Sequence, residues 1–281
     1  MPSAHMAAKN IGAAGCIAFP YLIEWRPMTD PTLRFSSRAE NYIKYRPRYP
    51  QEVIATLRIE CSLSSVSLIA DIGAGTGALT ELFLQNGNQV FAVEPNREMR
   101  ESAERLMAGC AGFHSVDGRA ESTNLKDCSV DFVVIGQAFH WFDLAEARSE
   151  FLRILKPPGW TMIVWNEREF QTTPFLIAYD RLLQRYASDY ARERHKSVYD
   201  NALSDFYGAD GFVERTFSYR QELDFPGVMG RMQSSSYTPE PGHPNYEAMS
   251  AELLRIYQDH EVDGRVTFDY ITRMYYGRLK R

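Results

Sequence analysis

The chain has 281 residues, 44% apolar and 13% aromatic, enough to bury one large core or two small ones without disulfide or metal staples. Its 31 basic and 36 acidic side chains give a net charge of −5, which excludes the strong basic bias of a chain built to lie on nucleic acid. No apolar run reaches the roughly 18 residues that cross a bilayer, and Cys16, Cys61, Cys110 and Cys128 form no C-x-x-C pair or zinc-spaced cluster, as expected of reduced thiols in the cytoplasm.

Residues 1–29 read as an extension outside the fold. The stretch 11–23 mimics the apolar part of a secretory leader. Only Lys9 precedes it, no small-residue cleavage site follows, and Glu24 and Arg26 come at once, so export is not expected. Met28, opening MTDPTLRF, reads as the natural start. Further on, apolar runs of strand length alternate with helix-period segments, the signature of a mostly parallel, doubly wound α/β sheet. Strands are predicted at 66–72, 89–93, 112–116, 129–135 and 160–165, and helices at 77–85, 97–107 and 144–155. Asn96 stands at an N-cap position, and Pro157, Pro158 and Gly159 stop the third helix. The alternation then breaks. Residues 173–193 form a Tyr- and Arg-rich amphipathic helical segment, followed by a strand at 216–223, a helix at 246–260 and a strand at 265–273. The simplest organisation is one domain over 30–281, with a lid helix at 30–50 and a helical insertion at 167–212 that caps the substrate.

The sharpest local signal is Asp71-Ile-Gly-Ala-Gly-Thr-Gly77, where a strand ends, glycines turn the chain and a helix begins. Glycine is required where backbone takes positive φ or approaches a ligand closely. The helix N-terminus beyond favours an anionic or carboxylate group. At the end of the next strand stands Glu94, a carboxylate able to take both hydroxyls of a ribose. Gly73-x-Gly75-x-x-Ala78 also satisfies the nicotinamide-dinucleotide fingerprint, so the turn alone leaves two cofactor classes open. Asp71 leans away from a phosphate, since a fixed negative charge there suits an amino group better. An NAD(P)-dependent oxidoreductase would also need a catalytic Tyr-Lys or His-Asp pair near a central strand. The Tyr276 to Lys280 spacing at the far C-terminus does not supply one.

Four segments in order, Asp71–Gly77, Val93-Glu94-Pro95-Asn96, Gly118-Arg-Ala-Glu-Ser122 and Gln137-Ala-Phe-His-Trp141, resemble class I S-adenosylmethionine-dependent methyltransferases. Phe35, Tyr42 and Arg46-Pro-Arg-Tyr-Pro50, with Ser234–Pro239 and Gly264–Tyr270, are similar to the small-molecule subgroup that includes trans-aconitate methyltransferase. The resemblance implies a seven-stranded Rossmann-like sheet and S-adenosyl-L-methionine as cofactor. It implies cofactor contacts from Tyr42, Arg46, Asp71, Gly73, Ala74, Gly75, Thr76, Gly77, Glu94, Pro95, Met99, Ala120, Glu121, Gln137 and Ala138. On the acceptor side it implies His140, Trp141, Ser236 and Tyr237, with His140 as base or substrate orienter. No metal comes with the pattern. The expected partner is a small-molecule methyl acceptor bound by a monomer or homodimer, with no nucleic acid and no membrane. Arg46, Arg194 and Arg231 are candidates to pair with an acidic substrate group. A cofactor-binding regulator without catalysis would carry the same cofactor residues.

Overall fold

The computed structural model describes residues 45–188, 190, 199–208, 211–235 and 237–280. The N-terminal extension, Phe35, Tyr42, Arg194 and Ser236 lie outside them. Five parallel strands, β1 (Leu68–Ile72), β2 (Gln89–Val93), β3 (Phe113–Val116), β4 (Val130–Gly136) and β5 (Leu155–Arg168), share one sheet with β6 (Val213–Leu223) and β7 (Val266–Gly277). The order is β3-β2-β1-β4-β5-β7-β6, with β7 antiparallel to both of its neighbours. This is the seven-stranded doubly wound sheet that the resemblance implies.

Two layers of helix cover the sheet because its central strands are apolar on both faces. On one face α1 (Glu52–Glu60) and α2 (Ala78–Gln85) bury Val53, Ile54, Leu57, Leu79, Leu82 and Phe83 against Ile69, Val134 and Met162. The opposite face is covered by α4 (Leu144–Ile154) and α6 (Tyr199–Tyr207), whose Phe151, Ile154, Leu203 and Phe206 meet Val133, Ile135 and Ile163. Between these two chain segments, α3 (Arg97–Leu106) starts where Asn96 Oδ1 accepts from the Met99 backbone N–H, the cap anticipated from sequence.

A third core lies beyond the sheet. Helices α5 (Pro174–Tyr186), α7 (Phe225–Gln233) and α8 (Tyr246–His260) enclose Tyr179, Leu183, Met232 and Leu253 against Phe268 and Tyr270 of β7. Two of these helices fall between β6 and β7, so helical cap material enters the chain there as well as after β5. Strand β5 runs well past the anticipated 160–165, because its far half pairs with β7 from Trp165↔Arg273 to Arg168↔Tyr270. That pairing partner lies a hundred residues away and is invisible to local pattern reading. Helix α7 escaped the reading because Gly227 and Gly230 weaken its helix propensity, although Asp224 caps it and Pro226 opens it.

Candidate active site

The strand order reverses between β1 and β4, and in an open α/β sheet the crevice outside the carboxyl ends at such a point is the ligand site. The glycine turn sits there. Gly73, Gly75 and Gly77 all take left-handed φ, +68°, +58° and +89°. The N–H groups of Gly73 and Ala74 both donate to Val93 O at the end of β2, at 2.9 and 3.1 Å. A Cβ on Gly73 would stand 2.6 Å from Ala138 Cβ, so the turn is packed against the end of β4. One on Gly75 would meet only Met99 Sδ, at 3.8 Å, so this glycine keeps space before it. Met107 closes over Gly77, and Thr76 is buried.

Two carboxylates define the electrostatics. Glu94, buried at the end of β2, accepts from Gly75 N at 2.9 Å through Oε2 and from Asn96 N at 2.8 Å through Oε1. Burial pushes its pKa above the usual range, while these N–H donors and nearby Arg100 pull it back. One lone pair on each oxygen remains for a diol. Asp71 is 1% exposed; its Oδ2 accepts from Thr80 Oγ1 at 2.6 Å, and its Oδ1 has no hydrogen-bond partner among the described residues. Burial raises the Asp71 pKa to about 7, against the Thr80 hydrogen bond and helped by the charge of Glu94. An orphaned buried carboxylate oxygen is costly unless a donor reaches it. An ammonium group next to the cradle answers that need, and a phosphate does not.

The other side of the crevice is the end of β4. Gln137 takes φ +61° and donates through Nε2 to Asn166 O of β5 at 3.1 Å. A single 3-10 turn, Phe139–Trp141, follows, with Phe139 edge-on to Trp165 and Phe206. That turn sets His140 and Trp141 side by side, ring centroids 4.7 Å apart. Ala120 is buried after β3, and Glu121 Oε1 accepts from Asp143 N at 2.9 Å, holding the start of α4. Pro95 offers its carbonyl to Arg100.

The segment 45–50 passes over the ends of β4 and β5. Asn166 Nδ2 donates to Arg48 O at 3.2 Å, and Tyr49 fills the space above Gly136. Arg46 donates to Ser234 O at 2.9 Å, which ties this segment to the end of α7. Asp71, Gly73, Gly75, Glu94, Met99, Gln137 and Ala138 are therefore linked by direct contact or shared neighbours around one crevice. Arg46 and Tyr237 belong to the cap side, where Tyr237 lies 5.3 Å from Tyr190, centroid to centroid. Sequence reasoning missed Asn166 and Arg168. Both follow the point where β5 was expected to end, and their alternation on a longer strand was the available signal. Among the described residues, no three His, Cys, Asp or Glu side chains group as metal ligands, and no helix is long and apolar enough to cross a membrane.

Residues 70–163 match the family model described as a methyltransferase domain. An uncharacterized methyltransferase of Schizosaccharomyces pombe is 29% identical over 79% of this chain and 86% of its own length. An uncharacterized methyltransferase of Mycobacterium tuberculosis is 39% identical, the match covering 50% of this chain and 55% of the relative. Among solved structures, one from Anaeromyxobacter dehalogenans superposes with a TM-score of 0.62 at 19% identity, over 84% of this chain and all of the other. The YcgJ protein of Bacillus subtilis gives 0.50 at 18% identity over 83% of this chain and all of that one. These two likenesses concern the fold.

Proposed function

We propose that this chain, whose residues 70–163 match a methyltransferase domain and whose sheet has the doubly wound seven-stranded order, is a class I S-adenosylmethionine-dependent enzyme that methylates an oxygen, carboxylate or hydroxyl, of a small-molecule acceptor. The observation that carries this reading is the orphaned Oδ1 of buried Asp71, directly before a cradle of three left-handed glycines. When bound, the cofactor supplies a methyl group already activated on a sulfonium.

The chain does the rest by position. Gly73, Ala74, Gly75, Thr76 and Gly77 present backbone to the methionine portion, and Asp71 orients its amino group. Glu94 takes the ribose hydroxyls, Pro95, Met99, Ala120 and Glu121 surround the adenine, and Gln137 and Ala138 line the methionine side. Arg46 comes from the segment over the strand ends, and His140, Trp141 and Tyr237 form the acceptor side; Tyr42 and Ser236 join them on the strength of the sequence resemblance. A carboxylate acceptor needs no base at neutral pH, whereas a hydroxyl gives its proton to His140. The chain's own contribution would be to position the acceptor oxygen against the bound cofactor and keep it oriented there. The finer reading is a relative of the trans-aconitate methyltransferases. The segment 234–239 supports it, because Arg46 reaches Ser234 there beside Tyr237. The enzyme works in the cytoplasm as a monomer or homodimer, without nucleic acid or membrane.

Calorimetric titration with S-adenosylmethionine, S-adenosylhomocysteine and NADH, repeated on Glu94→Ala, tests the cofactor. Micromolar binding of both adenosyl ligands, lost in the variant, is expected. Binding of NADH alone overturns the reading.

A further inference from the structure

Two guanidinium groups reach into the cap, Arg168 from the far end of β5 and Arg231 from α7, and among the described residues neither has a carboxylate partner. Arg168 is part-buried and stands opposite Tyr270 in the β5–β7 ladder. Arg231, on α7, is 5% exposed and donates through Nε to that same Tyr270 hydroxyl at 3.1 Å. The cations are therefore held in one neighbourhood, close enough to repel each other. Arg231 has one more acceptor, Ser235 Oγ at 3.1 Å, so two of its five N–H donors are engaged among the described residues. Arg168 donates to the Tyr190 hydroxyl at 2.5 Å and lies over the ring of Tyr179, 4.9 Å from its centroid. Among the described residues, the carboxylate in this chain of contacts is Asp180, to which the Tyr190 hydroxyl donates.

A buried cation with no counter-ion among the described residues is unfavourable, more so for Arg231 than for part-buried Arg168. Cation–π contacts offset part of that for Arg168, whereas among the described residues no ring lies under the Arg231 guanidinium. Their common neighbour Tyr237 reports the same field. Burial pushes its phenol up, yet the charges of Arg168, Arg231 and Arg46 outweigh burial and hold its pKa below the usual value. Position along the strand ties this cluster to the crevice. Asn166, whose carbonyl receives Gln137, and Arg168 are two residues apart on one face of β5, roughly 7 Å.

We propose that Arg168 and Arg231, walled by Tyr179, Tyr190 and Tyr237, form a subsite for an anionic oxygen group of the acceptor, a carboxylate or a phosphate, set apart from the atom that is methylated. This rests on the acceptor side lying at the ends of β4 and β5, as proposed above. Guanidinium forks match both groups bidentately. The subsite selects acceptors with a charge at one end and fixes the other end toward the crevice.

The test uses full-length protein saturated with S-adenosylhomocysteine, with thermal melting followed as glutarate, glycerol phosphate or neutral dimethyl glutarate is added. A saturable rise with at least one anion and none with the diester is expected. The apparent affinity falls at least about tenfold in Arg168→Gln and Arg231→Gln, as for loss of a charge-assisted hydrogen bond, and Arg231→Lys recovers part of it. Saturation with glutarate alone assigns a carboxylate, and saturation with glycerol phosphate alone assigns a phosphate. The subsite is overturned by equal binding in the glutamine variants, by protection from the diester, or by no protection from either anion. Should Arg231→Gln fail to bind S-adenosylhomocysteine, Arg168→Gln and Arg231→Lys carry the decision. Failure of the wild-type protein to bind S-adenosylhomocysteine at all overturns the cofactor reading instead.

Discussion

At the scale of single residues, Asp71 and Glu94 show how one crevice holds two carboxylates in different states. Glu94 has its charge met by two backbone N–H groups, whereas Asp71 has one oxygen satisfied and one not. The consequence for pH follows from the raised Asp71 pKa. Below the unfolded value near 4 both states are protonated, and the folded protein keeps its full stability. Between there and about 7 the unfolded chain ionises first, so stability falls with rising pH and levels off above the folded pKa. Asp71→Asn should flatten this slope by an amount of order a few kcal/mol, measured by denaturant titration between pH 4 and 8. Ligand affinity should run the other way. A cationic amino group prefers ionised Asp71, so S-adenosylhomocysteine should bind more tightly at pH 8 than at pH 6, and Asp71→Asn should lose that dependence. Glu94→Ala should weaken the same ligand by at least about tenfold, the scale of a lost charged hydrogen bond.

At the scale of elements, the site depends on two loops touching: the turn after β1 and the end of β4. The Gly73–Ala138 approach is the contact point, and it permits a direct test. Gly73→Ala adds a methyl 2.6 Å from Ala138 Cβ at a φ of +68°, so it should cost both overpacking, about 1–3 kcal/mol, and backbone strain of order 1 kcal/mol. Adding Ala138→Gly removes the first cost and leaves the second. Thermal melts should therefore show partial recovery in the double variant, and full recovery or none would deny the contact. Helix α3 acts on the same crevice from the β2 side. Its cap residue, Asn96, also donates its backbone N–H to Glu94, so Asn96→Ala should cost about 1 kcal/mol of stability through the lost cap while leaving the Glu94 contact in place.

At the scale of the whole molecule, two cores bind helices to the sheet and a third assembles the cap from α5, α7 and α8. The residues proposed for the cofactor stand at strand ends between the first two cores and the arginine pair beside the third, so damage to the cap should separate the two proposed functions. Leu253→Ala, fully buried on α8, should destabilise by about 2–5 kcal/mol and weaken anion binding, with S-adenosylhomocysteine affinity within twofold of wild type. Equal loss of both ligands would mean that cap and sheet act as one unit. Most of the sheet was legible in the residues alone. Strands β1 to β5 and the turn at Asp71–Gly77 declare themselves through local apolar runs and glycine spacing, and Asn96 and Asp71 through what their side chains do to nearby backbone and charge. Those signals act over a few residues, so local reading suffices. The reach of β5 to Arg168, the weakly helical α7, and the meeting of Arg168 with Arg231 depend on pairing and packing between segments tens to a hundred residues apart. Only the folded chain decides such contacts, because their energy comes from burial and pairing of groups whose neighbours the linear order does not name.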